Sequence, residues 1–200
     1  FSKLDENTYD NYLNIWGQLI IKTKDKLYDY LYNYIKAYIR FYRQNISVDN
    51  FKSVAKNEFP KYYRVATEKE ALEKFLEDLN DKVDFYGMLS NSELANSLVK
   101  HNKFRFFFKV FTEISYQHPK ALFFRLLDEI SQGKISKEDA TEIVTQTIGF
   151  MIKFLSLGGG DSKDSIATFY EIMRDIYNKN IDKQKIIDQL NTTLYNKAIT

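Results

Sequence analysis

From Leu27 onward the apolar positions fall at Leu27, Leu31, Tyr34, Ile35, Tyr38, Phe41 and Tyr42. Spacings of three and four put these side chains in one stripe on a helix, and they predict a long helix over about 24–43. A shorter helix over roughly 8–21 precedes it and carries the single tryptophan, Trp16. Ser47 is placed as the N-cap of a helix that runs to about Phe59 and is stopped by Pro60, because proline lacks the amide hydrogen a helix needs. Thr67-Glu68-Lys69-Glu70 has the pattern of a capping box. The helix it opens carries Leu72, Phe75, Leu76, Leu79, Val83 and Tyr86 on one face. Gly87 or the pair Ser90-Asn91 ends it. A short helix over 92–100 follows, then one over 103–115 with Phe104, Phe107, Phe108 and Phe111 inward.

Pro119, preceded by His118, suits the first position of the next helix, which carries Leu122, Phe123, Leu126, Leu127 and Ile130 and closes at Gly133. Ser136 caps another, with Asp139 three residues on. Residues 143–157 of that helix are apolar or neutral apart from Lys153. The stretch is too short to span a bilayer and predicts the central buried helix of a bundle. Gly158-Gly159-Gly160 breaks the chain. Asp161 or Ser162 then caps a helix with Ile166, Phe169, Ile172, Met173 and Ile176, and Asp182 caps a last one with Ile186, Ile187, Leu190 and Leu194. No strand-period run, internal repeat or sustained heptad occurs. The expectation is an all-α fold: an irregular multi-helix bundle of eight or nine helices, forming a single helical domain over 1–200. The weakest pattern, 44–66, marks where a sub-domain boundary would fall.

Tyr28, Tyr30, Tyr32, Tyr34, Tyr38 and Tyr42 cover more than one side of their helix, which predicts two packing partners, of which one could lie outside this chain. Composition agrees with a helical reading: 15 Tyr and 16 Phe against 7 Gly and 2 Pro. The chain has no cysteine, which excludes disulfides, thiolate zinc sites and cysteine nucleophiles, and fits a cytoplasmic location. There is no apolar run at the start to serve as a signal peptide, and no initiator methionine, so the sequence reads as a piece of a larger protein.

Candidate chemistry is sparse. His101 and His118 do not form a metal-ligand spacing, and no metal or cofactor is expected. The triple glycine lacks both the preceding strand and the Lys-Ser/Thr of a phosphate loop, and Asp161 after it would repel phosphate. Asp128-Glu129 and Glu138-Asp139 are adjacent on helices, splayed by about 100°, and are expected on solvated faces. No catalytic residue is assigned, so this segment is not expected to be an enzyme. With 29 Lys+Arg against 27 Asp+Glu, nucleic-acid contact would need a local patch. Two patches are candidates for contact with a DNA backbone. Lys36, Arg40 and Arg43 lie at helical spacing. Lys100, Lys103, Arg105 and Lys109 cluster among phenylalanines.

The run His118-Pro119-Lys120-Ala121-Leu122-Phe123-Phe124-Arg125-Leu126-Leu127-Asp128, followed by Gly133-Lys134-Ile135-Ser136, resembles the helical region of GmrSD-like proteins of bacterial restriction and phage defence. In that family a ParB-like nuclease domain lies upstream and an HNH-type domain often lies downstream. The order of the earlier helices is similar as well. The chain lacks the family's Asp-Gly-Gln-Gln-Arg signature and its His-rich metal motif, and has Lys153-Phe154 where paired arginines are common. The resemblance implies a non-catalytic helical domain that scaffolds flanking nuclease modules of the same chain and contacts DNA. The alternative is a stand-alone helical protein-interaction module with no nucleic-acid role.

Overall fold

A computed structural model describes residues 6–39, 48–114, 117–157, 163–177 and 179–198. These contain ten α-helices and no strand: α1 (Glu6–Thr23), α2 (Leu27–Tyr34), α3 (Val48–Tyr63), α4 (Glu68–Met88), α5 (Ser92–Val99), α6 (Asn102–Ile114), α7 (Lys120–Ser131), α8 (Lys137–Ser156), α9 (Lys163–Asp175) and α10 (Lys183–Ala198). The chain is thus an all-α multi-helix bundle. No helix among the described residues is long and apolar enough to cross a membrane.

Local signals set many of the boundaries. The Thr67 hydroxyl accepts from the Glu70 amide at 3.2 Å while Glu70 Oε2 accepts from the Thr67 amide at 3.1 Å, a complete capping box. Asn91, Ser136 and Asp182 cap α5, α8 and α10 by accepting from Leu94, Asp139 and Lys185 amides. At the end of α7, Gly133 has φ +66°. Its amide donates to the Ile130 carbonyl at 3.0 Å, and that of Lys134 donates to Glu129 at 2.9 Å. This is a Schellman closure.

Two expected boundaries change. Pro60 lies inside α3 rather than ending it. Proline blocks one bond to the preceding turn and crowds the carbonyl there, but residues after it still take helical angles. The helix predicted over 24–43 begins at Leu27, and after Tyr34 it widens into a π-helical turn, Ile35–Ile39. Arg40, Phe41, Tyr42, Arg43, Ser47, Gly158-Gly159-Gly160, Asp161 and Ser162 lie outside the described residues.

The central helix is α7, not α8. Every residue from Ala121 to Ile130 is buried, and α7 packs against α2 and its π turn, α4, α5, α8 and α9. By contrast α8 leaves Ile152, Lys153 and Leu155 exposed. Neighbouring phenylalanines of α7 serve two clusters. Phe124 meets Tyr30, Tyr38 and Tyr86 at 5.8, 5.4 and 6.2 Å between ring centroids. Phe123 meets Phe108 and Phe111 at 5.6 and 4.8 Å. Tyr30, Tyr34 and Tyr38 are buried against partners within the chain, so this face of α2 needs none from outside.

Asp128 and Glu129 are the second correction: they are 5% and 4% exposed, not on a solvated face. Their adjacency sends them to different partners. Asp128 lies 3.5 Å from Lys82, which also pairs with Asp78 at 2.9 Å. Burial disfavours the Lys82 charge, but the two carboxylates outweigh it and hold its pKa above the usual value. Tyr34 donates to Asp78 and shares a 2.7 Å bond with Tyr63. On the neighbouring face, Arg125 Nε donates to Glu129 at 2.9 Å, Nη1 to the Ala37 carbonyl at 3.2 Å, and Nη2 to the Lys179 carbonyl. Glu129 Oε2 accepts from the Ile181 amide at 2.8 Å. Arg125 and Glu129 thereby clamp the π turn and the α9–α10 link onto α7. By contrast Glu138 is exposed, and Asp139 lies in the first turn of α8, reaching Lys183 at 2.7 Å.

Candidate functional site

On α2 and the π turn that continues it, Asp29, Asn33 and Lys36 are spaced by four and three, so they share a face, with Tyr32 one turn before Lys36. This face, the link residues Gln117 and His118, and Ile166 and Tyr170 of α9 enclose a cleft of about 360 Å3. The π turn carries Lys36 into the lining of the cleft. Such local widenings recur at functional sites because they re-aim one side chain without ending the helix.

Asp29 anchors one wall. It pairs with the Lys120 ammonium, accepts from the Tyr86 hydroxyl, and accepts from Asn33 Nδ2 at 3.0 Å. Burial opposes its charge, but the bonds from Lys120 and Tyr86 and the charge of Lys120 win, holding its carboxyl below the ordinary value. The Tyr86 hydroxyl is pushed up by burial and by its bond to Asp29. Past this trio, on the side of Lys26, Phe111 and Thr112, lies a smaller recess of about 180 Å3 that shares Gln117 with the cleft.

Lys36 lies about two turns further along the same face. Its ammonium lies 3.8 Å from the centroid of the Tyr32 ring and 5.1 Å from that of Tyr170. Cation–π contact offsets part of its lost hydration. Burial still lowers its pKa to about 8, and Asp29 only partly counters this. The Tyr32 hydroxyl is pushed up by burial and by its contact with Tyr170. His118 is held by a 3.1 Å contact between Nδ1 and the hydroxyl of buried Ser165 on α9. It forms part of the cleft wall and precedes Pro119, the N-cap residue of α7. A larger depression of about 500 Å3 lies between α9 and α10, but its polar side chains are largely engaged with each other or with the backbone, as in the Thr168–Thr193 and Gln184–Asp188 contacts. Among the described residues no group of His, Asp or Glu side chains is arranged to hold a metal ion.

The basic residues singled out from sequence are distributed differently. Lys36 is half-buried and turned into the cleft. Lys100 ends α5 in the left-handed conformation, with φ +57°, and is exposed. Lys103, Arg105 and Lys109 are exposed on α6, and Arg105 lies 3.7 Å from Glu93. Phe106 stands among them at 62% exposure, while Phe104, Phe108 and Phe111 are buried. The His101 ring accepts from the Lys103 amide at 3.2 Å and so helps start α6. Sequence reasoning missed Asp29, Tyr32, Asn33, Gln117 and Tyr170. The shared face of Asp29, Asn33 and Lys36 was the available signal, masked by the aromatic stripe beside it.

Comparison with known protein families, with curated proteins and with solved structures gives no match for this chain.

Proposed function

We propose that the chain is the non-catalytic helical domain of a larger restriction or phage-defence protein, spacing flanking nuclease modules and contacting a DNA backbone through one end. The observation that carries the DNA contact is the exposed basic group Lys100, Lys103, Arg105 and Lys109 at the α5–α6 corner, with Phe106 uncovered among it. Cations around an exposed ring suit phosphates with a base or sugar between them. The scaffold role draws support from the buried ion pairs and bonds that lock α4, α7 and the α9–α10 link together, and the defence context from the resemblance over 119–136.

The test is duplex-DNA binding by the 200-residue chain at low and moderate salt, with Lys100, Lys103 and Lys109 changed to Glu in parallel. The expected result is binding at low salt that weakens steeply with salt, and a variant whose salt dependence is shallower by about one unit per lost contact. Absence of binding at low salt withdraws the DNA contact and leaves the scaffold. A stand-alone protein-interaction module is favoured by a different feature, the exposed Leu13, Ile20 and Ile21 of α1. Sedimentation of the chain with and without Leu13→Asp and Ile20→Asp tests it: self-association abolished by the pair of changes supports that reading.

A further inference from the structure

The cleft between α2 and α9 has a property that neither scaffolding nor contact with DNA uses. Lys36 is a half-buried cation, and among the described residues no carboxylate lies within ion-pairing distance of it. The nearest acid on its own helix, Asp29, is already neutralised by Lys120 and bonded by Tyr86 and Asn33. Drawing an ammonium out of water without a counter-ion is costly, and an anion seated beside it would supply the missing charge. The volume, about 360 Å3, falls in the range of roughly 300–1,000 Å3 typical of small-molecule sites. Its walls combine two tyrosines and Ile166 with the polar ends of Asn33, Gln117 and His118.

We propose that this cleft binds a small organic oxyanion, a carboxylate or phosphate monoester, whose charged end docks on the Lys36 ammonium beside Tyr32 and Tyr170. The arithmetic of charge favours one negative group: Asp29 of the lining is paired with Lys120, which lies outside the lining, and this leaves Lys36 as the unpaired charge. Tyr32 and Tyr170 contribute ring faces and hydroxyls. The bound oxyanion returns Lys36 toward its ordinary pKa, so binding takes up a proton when the solution stands near or above pH 8. Affinity is therefore greatest below pH 8 and declines by up to about tenfold per unit above it.

Isothermal titration of the chain with benzoate, phenyl phosphate and benzyl alcohol tests the proposal, using wild type, Lys36→Arg, Lys36→Met and the exposed-lysine control Lys134→Gln. Either anion binding while the alcohol does not is the expected result, and the tighter anion identifies the head group. Lys36→Met should weaken binding about ten- to a hundredfold, as loss of a charged hydrogen bond does, with Lys36→Arg retaining most of it and Lys134→Gln all of it. In wild-type protein carrying 13C at lysine Cε, the Lys36 resonance should shift on addition of the anion. No binding of either anion at millimolar concentration overturns the proposal. So does equal affinity in Lys36→Met, or a Lys36 resonance that does not move.

Discussion

Arg125 satisfies four polar groups at once: the Glu129 carboxylate directly, the Ala37 and Lys179 carbonyls, and, through Glu129, the Ile181 amide. Removing one member of such a buried pair leaves the other charge unpaired. Arg125→Met is expected to cost about 3–5 kcal/mol in urea unfolding, while Arg125→Met with Glu129→Leu should recover a large part of that loss. Asp29 makes a pH prediction at the same scale. Its carboxyl is held below the ordinary value near 3.8, so its contribution to stability is fully present above that pH and is lost as the pH falls through the lower folded value. Asp29→Asn should therefore be less stable than wild type near neutrality, with the gap closing below pH 3.8 when stability is followed by acid titration.

Helix ends carry the predictions at the scale of elements. Thr67→Ala removes half of a complete capping box and should cost about 1 kcal/mol. Gly133→Ala meets no atom within 4 Å, so its cost comes from the left-handed backbone at φ +66° alone, about 1 kcal/mol. Chemical denaturation of the two variants checks both. These ends were legible in sequence because a cap is a local event: Thr67, Glu70, Ser136, Asp182 and Gly133 act on amides and carbonyls within a few residues of themselves. The π turn after Tyr34 was not legible, since the same three-four spacing of apolar residues serves an α-helix, and the widening accompanies contacts of this segment with α7 and α3.

Across the whole molecule, α7 joins the α1–α4 side to α8 and α9. Phe124 alone touches three tyrosines from two helices and the π turn. Phe124→Ala is expected to cost about 3–5 kcal/mol and to destabilise the chain as a unit. The single tryptophan, Trp16, reports on α1, while far-UV circular dichroism reports on all helices. A single cooperative unit predicts coincident urea transitions by the two probes; an earlier change at Trp16 would mark 44–66 as a true sub-domain boundary.

What the sequence determined by itself is the class of element, the caps and the apolar stripes, each set by spacing within one helix. What the tertiary structure decided is the fate of the charges. Asp128 looked like a surface residue until Lys82 of α4 was placed against it, and Lys36 like a member of a basic ladder until Tyr170 of α9 was placed beside it; Asp29 drew no notice along the chain, and its partner Lys120 arrives from 91 residues away. The physical reason is that a side chain's burial depends on whether a partner can replace its water. That partner belongs to another element, so no periodicity along its own helix encodes it.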